Sequence, residues 1–504
     1  MKIFTTAQIR ELDKYTIDNE PISSLDLMER AAKALTRAIT ECWSTRTPIV
    51  VFAGSGNNGG DALAVARMLA EFSYQVTVYL FNITGSLSPD CAANKRRLQE
   101  CKRVRQFIEV TQEFDPPQLD EEMLVVDGLF GSGLNKTLAG GFSSLVKYIN
   151  ASPSQVVSID VPSGLMTEDN TYNVRANVIR ANMTLTLQQP KLSFLFPECQ
   201  QFVGQLRVLD IRLSQEAIDK MDARYCITEE SMVRSCLLDR SPFANKGQMG
   251  HALLIAGSYC MAGAAVLATQ ACLRAGAGKV TINTPKRNVP ILQMSAPEAI
   301  VQCGLEETIF AEAVETDEYN ALGIGPGLGQ SEQTAIALIA QSCRTQCPIV
   351  ADADAINILA NHRAWMQQLP KGIIFTPHPK EFDRLEGHSA DSYERLTKAR
   401  KLAERLQGFV ILKGRYTAIC LPDGKVVFNP TGNAGMATAG CGDVLTGIIT
   451  GLLARGYKAP EACLVGVYLH GLAGDLAAND LGEESLVAGD LIRYLPKAFK
   501  RLKE

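Results

Sequence analysis

The chain has 504 residues, too many for one ordinary core, and a prior of roughly 100 to 200 residues per domain suggests two domains. Its 50 Lys plus Arg against 54 Asp plus Glu leave a net charge of −4 with no basic tract, which argues against nucleic acid as a partner. Charged Arg10, Glu11 and Asp13 precede any apolar stretch that could act as a signal sequence, and no run approaches the roughly 20 apolar residues that span a bilayer, so a cytoplasmic protein without membrane partners is expected.

Short β-branched runs alternate with helix-like segments: IVVF at 49–52, QVTVYLF at 75–81, MLVVD at 123–127, VVSIDV at 156–161 and MTLTL at 183–187. That rhythm predicts parallel sheets covered by helices on both faces, an α/β fold. The first run enters Ser-Gly-Asn-Asn-Gly-Gly-Asp, residues 55–61, read here as a loop, and then the helix-like ALAVARMLAEF. In an open α/β sheet such a glycine-rich turn lets backbone amides and a helix N-terminus approach a phosphate. A tight structural turn is the alternative, but two adjacent amides and a carboxylate are more polar than a turn needs. Asp127 leads into Gly-Leu-Phe-Gly-Ser-Gly and Asp160 into Val-Pro-Ser-Gly. Asn58, Asp127, Asp160 and Ser163 therefore converge on one sheet edge, an oxygen-rich set suited to a cation or to ribose and amide groups.

Between Leu209 and Asn245 the pattern turns charged and loses glycine-rich strand-to-helix turns, which puts a boundary near Tyr225, with domains at 1–224 and 225–504. The strand rhythm resumes with ALLIA at 252–256, KVTI at 279–282, ALGIG at 321–325, PIVAD at 348–352 and FVILK at 409–413. Residues 429–447, NPTGNAGMATAGCGDVLTG, form a small-residue turn. Val444, Leu445, Ile448, Ile449, Leu452 and Leu453 follow at helical spacing, so a buried helix should start at Asp443 and make an anion hole, with Asp443 at its mouth as a base. An N-cap aspartate is the alternative. Of the 14 cysteines, Cys42, Cys91, Cys272, Cys420 and Cys463 lie among apolar neighbours and are read as buried thiols; Cys343 and Cys347 lack a second pair at zinc spacing, so no structural zinc is expected.

AGSGNNGGDALAVARML, DGLFGSGL and DVPSGL, with LDKYTIDNEPISSLDLMERAA before them, resemble the NAD(P)H-hydrate epimerase family over roughly residues 1–215. KGQMGHALLIAGS, MAGAAVLATQACLRAGAGKVTI, GIGPGLG, TPHPKEF and ILKGRYT resemble the ADP-dependent NAD(P)H-hydrate dehydratases of the ribokinase-like superfamily over roughly residues 226–500. The resemblance implies a Rossmann-like three-layer domain followed by a ribokinase-like domain. It implies repair of hydrated NADH and NADPH: R and S forms interconvert at C6, and the S form is dehydrated at the expense of ADP, giving AMP and phosphate. Carried over, Asn57, Asn58, Gly59, Gly60, Asp61, Gly131, Ser132, Gly133, Leu134, Asn135, Lys136, Thr137 and Asp160 hold the epimerase substrate. Asn58, Asp127 and Ser163 hold K+. Ala264, Gly327, His378 and Asp443 contact the dehydratase substrate, while Lys413, Gly414, Arg415, Tyr416, Thr417 and Gly442 contact ADP, with Mg2+ expected beside it. A homo-oligomer is expected. Two departures stand out: Ala62, where the family usually has glycine, and Cys441, where Thr or Ser is common.

Epimerisation needs reversible loss of the C6 hydroxyl or opening of the C6–nitrogen bond, for which an acid and a base suffice. Asp160 is the first candidate and Lys191 the second, a solvated surface lysine being the bland alternative for Lys191. Dehydration through a phosphorylated hydroxyl suits a kinase-like site, because phosphate leaves where hydroxide does not. Two rivals stay open: a sugar or hydroxymethylpyrimidine kinase of the same superfold, and an N-terminal module that binds without catalysis.

Overall fold

The computed structural model describes residues 1–504. It divides into two compact units, one of Lys2–Ala223 with Asp391–Tyr393, the other of Met1, Arg224–Ala390 and Glu394–Glu504. No helix is long and apolar enough to cross a membrane.

The first unit contains helices α1 (Thr6–Asn19), α2 (Ser24–Thr40), α3 (Asn57–Glu71), α4 (Pro89–Glu100) and α5 (Gly140–Ala151). Its strands are β1 (Ile49–Ala53), β2 (Val76–Phe81), β3 (Gln106–Val110), β4 (Leu124–Gly128), β5 (Gln155–Ile159), β6 (Met183–Leu187) and β7 (Gln205–Leu209). They form one sheet in the order β3-β2-β1-β4-β5-β6-β7, every neighbouring pair parallel. Strand periodicity explains the layers: Ile49, Val51, Leu124 and Val126 face one core with Leu35, Leu63 and Leu69, whereas Val50, Phe52 and Val125 face another with Val146 and Ile149. Between β1 and β4 the strand order reverses, and the loops that splay apart there open a crevice at the carboxyl ends of the strands.

In the second unit the strands are β8 (Tyr225–Ile227), β9 (His251–Ile255), β10 (Lys279–Asn283), β11 (Ile300–Gln302), β12 (Ala321–Ile324), β13 (Ile349–Ala351), β14 (Ile374–Phe375), β15 (Phe409–Leu412), β16 (Ala418–Cys420) and β17 (Val426–Phe428). Within this unit they run β8-β17-β16-β15-β14-β13-β12-β9-β10-β11. The expectation of wholly parallel sheets fails here, since β15, β16 and β17 pair antiparallel. Connections as short as residues 413–417 and 421–425 permit only that, because a parallel return needs a crossover of a dozen residues or so. Helices α6 (Ala262–Arg274), α7 (Asp354–Asn361), α8 (Pro379–Glu386), α9 (Cys441–Ala454), α10 (Ala459–Leu481) and α11 (Ala488–Lys503) complete what the sites require. Helix α9 is buried along nearly its whole length and packs close on α6, where a Cβ at Gly447 would lie 2.2 Å from the Ala268 carbonyl oxygen. A second reversal of strand order lies between β9 and β12. The cysteines are all free; Cys91, Cys272, Cys420 and Cys463 are buried as expected, but Cys42 is exposed, because it follows the last turn of α2 rather than lying on its inner stripe.

Candidate functional site

The crevice of the first unit is a cavity of about 790 Å3, lined by the start of α3, the loop after β4, the residue after β5 and one face of α1. Asn57–Asp61 are helix rather than loop: α3 begins at Asn57, capped by Gly56, so its first turn aims free amides at the cavity. Asn57, Asn58 and Asp61 line the cavity, while Gly59 and Gly60 are buried in close backbone packing against Gly54 and Met28. The methyl of Ala62 lies where a Cβ on Gly128 would come within 2.3 Å, so this helix start and β4 touch backbone to side chain. From the loop after β4, Gly131, Ser132, Gly133, Leu134 and Asn135 reach the cavity, and Lys136 and Thr137 stand beyond its lining.

Asp160 follows β5 with φ of +62°, a left-handed conformation uncommon outside glycine and typical of strained functional positions. Its Oδ1 lies 2.8 Å from Lys191 Nζ, and its Oδ2 accepts from the Ser132 amide at 3.3 Å. Lys191 is only 2 % exposed and also donates to Thr186 Oγ1, Gln189 O and Leu187 O at 3.0, 3.1 and 3.3 Å. The solvated-lysine alternative is therefore wrong; the PKLSF segment turns this side chain inward, a feature its neighbours do not announce. Burial alone would raise the Asp160 pKa, but Lys191 outweighs it and holds the carboxyl below its ordinary value.

Asp127 is fully buried. Its carboxylate accepts from Ser163 Oγ at 2.5 Å, the Ser163 amide at 2.9 Å, Ser158 Oγ at 2.8 Å and the Leu129 amide at 3.3 Å. Burial raises its pKa against those hydrogen bonds. The side-chain oxygen of Asn58 lies over Gly131, so Asn58, Asp127 and Ser163 all border the strand ends of β1, β4 and β5. Asp13, on α1, escaped the sequence reading although it lies within the LDKYTIDNEP segment. Its pKa is raised to about 6, first by burial and then by Asp160.

In the second unit, the loops after β9 and β12 meet at the reversal, the Gly257 amide donating to Pro326 O at 2.8 Å. Gly327, with φ of +57°, packs so tightly on Ala264 and Met261 that a Cβ would lie 3.0 Å from each of their β-carbons. Asp352, after β13, is 1 % exposed; it pairs with Lys413 Nζ at 3.0 Å and accepts from Thr446 Oγ1 at 2.9 Å. Gly442, in the first turn of α9, lies directly over this pair, since a Cβ there would stand 3.1 Å from Lys413 Nζ. Burial disfavours the charge on each, but their attraction outweighs it, lowering the Asp352 pKa and raising that of Lys413. Asp443, one residue on, is pushed up to about 7 by burial first and then by Asp352, with Asp354 and Glu381 adding to it and Lys413 opposing. The helix starts at Cys441 rather than at the acid, after Gly440 in a left-handed conformation.

His378 caps α8: Nδ1 accepts from the Lys380 and Glu381 amides at 3.1 and 3.4 Å, and Nε2 lies 3.3 Å from Glu381 Oε1. Burial lowers its pKa, against the pull of Glu381. Gly414 to Thr417 form the turn between β15 and β16, closed by Thr417 Oγ1 donating to Gly414 O at 3.0 Å, with the Arg415 guanidinium 5.0 Å from the centre of the Tyr416 ring. Two residues missed in sequence brace this site. Half-buried His470 lies with Nε2 2.9 Å from Cys441 O, its pKa lowered to about 4 by desolvation, and Asp475 accepts from the Gly432 amide and Asn433 Nδ2 at 2.9 and 3.0 Å. Both come from α10, far along the chain, and no local pattern marks them.

A family model for NAD(P)H-hydrate dehydratase matches residues 252–497, and one for the YjeF-related protein N-terminus matches residues 24–193. The bifunctional NAD(P)H-hydrate repair enzyme Nnr of Moorella thermoacetica is 36% identical, covering 100% of this chain and 98% of that protein. Its counterpart from Thermofilum pendens is 34% identical over 100% of this chain and 97% of its own. A crystal structure of the ADP/ATP-dependent NAD(P)H-hydrate dehydratase from Bacillus subtilis, co-crystallised with ATP/Mg2+, is 35% identical over 55% of this chain and 98% of that one, with a TM-score of 0.49.

Proposed function

Starting from a chain that belongs to the bifunctional NAD(P)H-hydrate repair enzymes, an epimerase unit followed by an ADP-dependent dehydratase unit, we propose which residues carry each reaction. In the first unit the hydrated nucleotide occupies the 790 Å3 cavity, its phosphates at the first turn of α3, where Asn57, Asn58 and Asp61 line it and buried Gly59 and Gly60 let the helix pack close, and along the loop Gly131, Ser132, Gly133, Leu134, Asn135, with Lys136 and Thr137 just beyond. Asp160, kept ionised by Lys191, takes the proton of the C6 hydroxyl; the oxygen then forms a carbonyl as the C6–N1 bond opens, and reclosure on the other face inverts C6. Asn58, Asp127 and Ser163 would hold K+. The fit rests on Asp127, a fully buried carboxylate whose hydrogen-bond partners are all neutral, so a monovalent cation would offset its charge and fix the two loops it joins.

In the second unit Asp443 takes the proton of the C6 hydroxyl of the S form while the β-phosphoryl group of ADP moves to that oxygen, leaving AMP. Phosphate then departs with the C6–O bond, pushed by the ring nitrogen, and loss of a C5 proton restores the double bond. Amides at the start of α9, with Gly442 over the Lys413–Asp352 pair, stabilise the transferred group. Gly414, Arg415, Tyr416 and Thr417 hold ADP beside Lys413; Ala264, Gly327 and His378 hold the nicotinamide nucleotide. Mg2+ would be held mainly by the phosphates with Asp354 or Glu381, the two carboxylates that act on Asp443 besides Asp352, since that ion takes one or two carboxylates besides phosphates and would neutralise charge on the transferred group. The 14 free cysteines support work in a reducing, cytoplasmic compartment.

The observation that carries the dehydratase assignment is Asp443 in the first turn of α9, beside the Lys413–Asp352 pair, where burial and then Asp352 push its pKa up to about 7. Incubating the S hydrate with ADP and Mg2+ tests it: one AMP and one phosphate should appear for each reduced nucleotide recovered. Consumption of ATP on sugars or hydroxymethylpyrimidine, with the hydrate untouched, would favour the kinase rival.

A further inference from the structure

The epimerase reading leaves one group unassigned: opening the C6–N1 bond places an electron pair on N1, which needs a proton as Asp160 takes one from oxygen. On α1, Ile9, Asp13 and Ile17 recur at four-residue spacing and all line the cavity, so Asp13 is an acid in the middle of an otherwise apolar stripe. Helical periodicity calls for an apolar residue there, and Asp13 has no ion-pair partner of its own. Around the same cavity stand Asp61, Asp90 and Asp160 against Arg10, Lys14 and Lys191. Of these, Lys191 is committed to Asp160 at 2.8 Å. Burial in this partly enclosed space raises the pKa of Asp13 and of Asp61, and Asp160 adds to both, which favours a proton on that pair.

We propose that Asp13 is the catalytic acid of the epimerase, facing the substrate opposite Asp160 and donating its proton to N1 as the ring opens. Asp160 removes the hydroxyl proton, the C6–O bond becomes a carbonyl, the C6–N1 bond breaks with its pair on N1, and Asp13 supplies the proton there. After rotation about C5–C6 the nitrogen attacks the other face, Asp13 regains its proton and Asp160 returns the other to oxygen. No redox partner is required. Burial raises the pKa of Asp61 well above its ordinary value, with Asp160 and Asp13 adding to the shift. Asp13, pushed up to about 6 by burial and then by Asp160, is poised to exchange its proton near neutral pH.

The proposal rests on the epimerase reading, and the test separates the two. Full-length chain is given one pure epimer without ADP, and appearance of the other is followed. Asp13→Asn should lower kcat by about 10² to 10⁴-fold, with KM changed by less than about threefold. In the wild type, kcat/KM should fall as pH rises above about 6, and the variant should lack that limb. ADP-dependent dehydration of the S form by the same variant should be unchanged, which controls for folding of the second unit, and the denaturation step of the first unit should match that of the wild type. Near-normal kcat in Asp13→Asn, or a loss confined to KM, overturns Asp13 as the acid while Asp160→Asn still reports on the epimerase. A wild-type chain that does not interconvert the epimers overturns the epimerase reading and this proposal with it.

Discussion

Asp443→Asn should remove dehydration and at the same time stabilise the apo protein. The carboxyl stands near Asp352, Asp354 and Glu381 with only Lys413 opposing, and its pKa rises from 3.8 to about 7. Loss of a general base lowers a rate by about 10² to 10⁴-fold, which is about 3 to 5 kcal/mol of transition-state stabilisation. For stability the sign is opposite. A pKa raised in the folded state means that the native protein binds this proton more tightly than the unfolded chain, so the contribution is complete below pH 4 and disappears as pH rises through about 7. At neutral pH the ionised acid therefore destabilises the fold, with a ceiling of about 4 kcal/mol, reduced by water around a partly exposed group. Asparagine keeps the shape and lacks the charge. Denaturant titration at pH 5 and pH 8, beside coupled assays of both activities, measures the effect: the variant should gain more stability over wild type at pH 8 than at pH 5, dehydrate at least about 10²-fold more slowly, and epimerise normally. A variant that dehydrates normally, or that is destabilised more at pH 8, refutes this account of Asp443.

Lys191→Met should strand the Asp160 carboxylate without its cation and cost about 3 to 5 kcal/mol, read as an early denaturation step of the first unit together with lost epimerisation; adding Asp160→Asn should recover part of the stability but none of the activity. Gly128→Ala should force its methyl onto Ala62 and cost about 1 to 3 kcal/mol, and the double variant with Ala62→Gly should regain most of it; additive losses would show that the contact is not the cause. If K+ offsets buried Asp127, replacing it with a bulky organic cation should slow epimerisation as Asp127→Asn does, while full activity without potassium would leave Asp127 a hydrogen-bonding residue only. Asp475→Ala should free the Gly432 amide and Asn433 and lower dehydration more than thermal stability, a comparison of kcat with melting temperature deciding it.

What was legible in the sequence is what local periodicity encodes. Runs such as IVVF and ALLIA, buried on both faces, read directly as central strands, and the glycine-rich turns after them read as loops at the carboxyl edge. The start of α3 was misread as loop because Asn and Gly are poor helix formers; the helix reaches back to Asn57 because Gly59 and Gly60 must pack against Gly54 and Met28. The antiparallel strands that follow β15 were missed because β16 and β17 have only three residues each, too few for a period to register. In the sites, Asp160 and Asp443 follow glycine-marked strand or helix ends and were found, whereas Asp13, His470 and Asp475 lie on ordinary helices. Their significance comes from what the fold brings against them, which one-dimensional spacing does not carry.

The central claim, that an epimerase supplies a stereospecific dehydratase within one chain, is tested most directly by following recovery of reduced nicotinamide absorbance from mixed hydrate epimers with ADP, K+ and Mg2+. Wild-type chain should carry the mixture to completion in two phases, the second dependent on enzyme concentration. Asp160→Asn chain should complete only the first phase, halting at the fraction supplied as the S form apart from slow spontaneous epimerisation. Equal and complete recovery of both epimers by the Asp160→Asn chain would contradict the account.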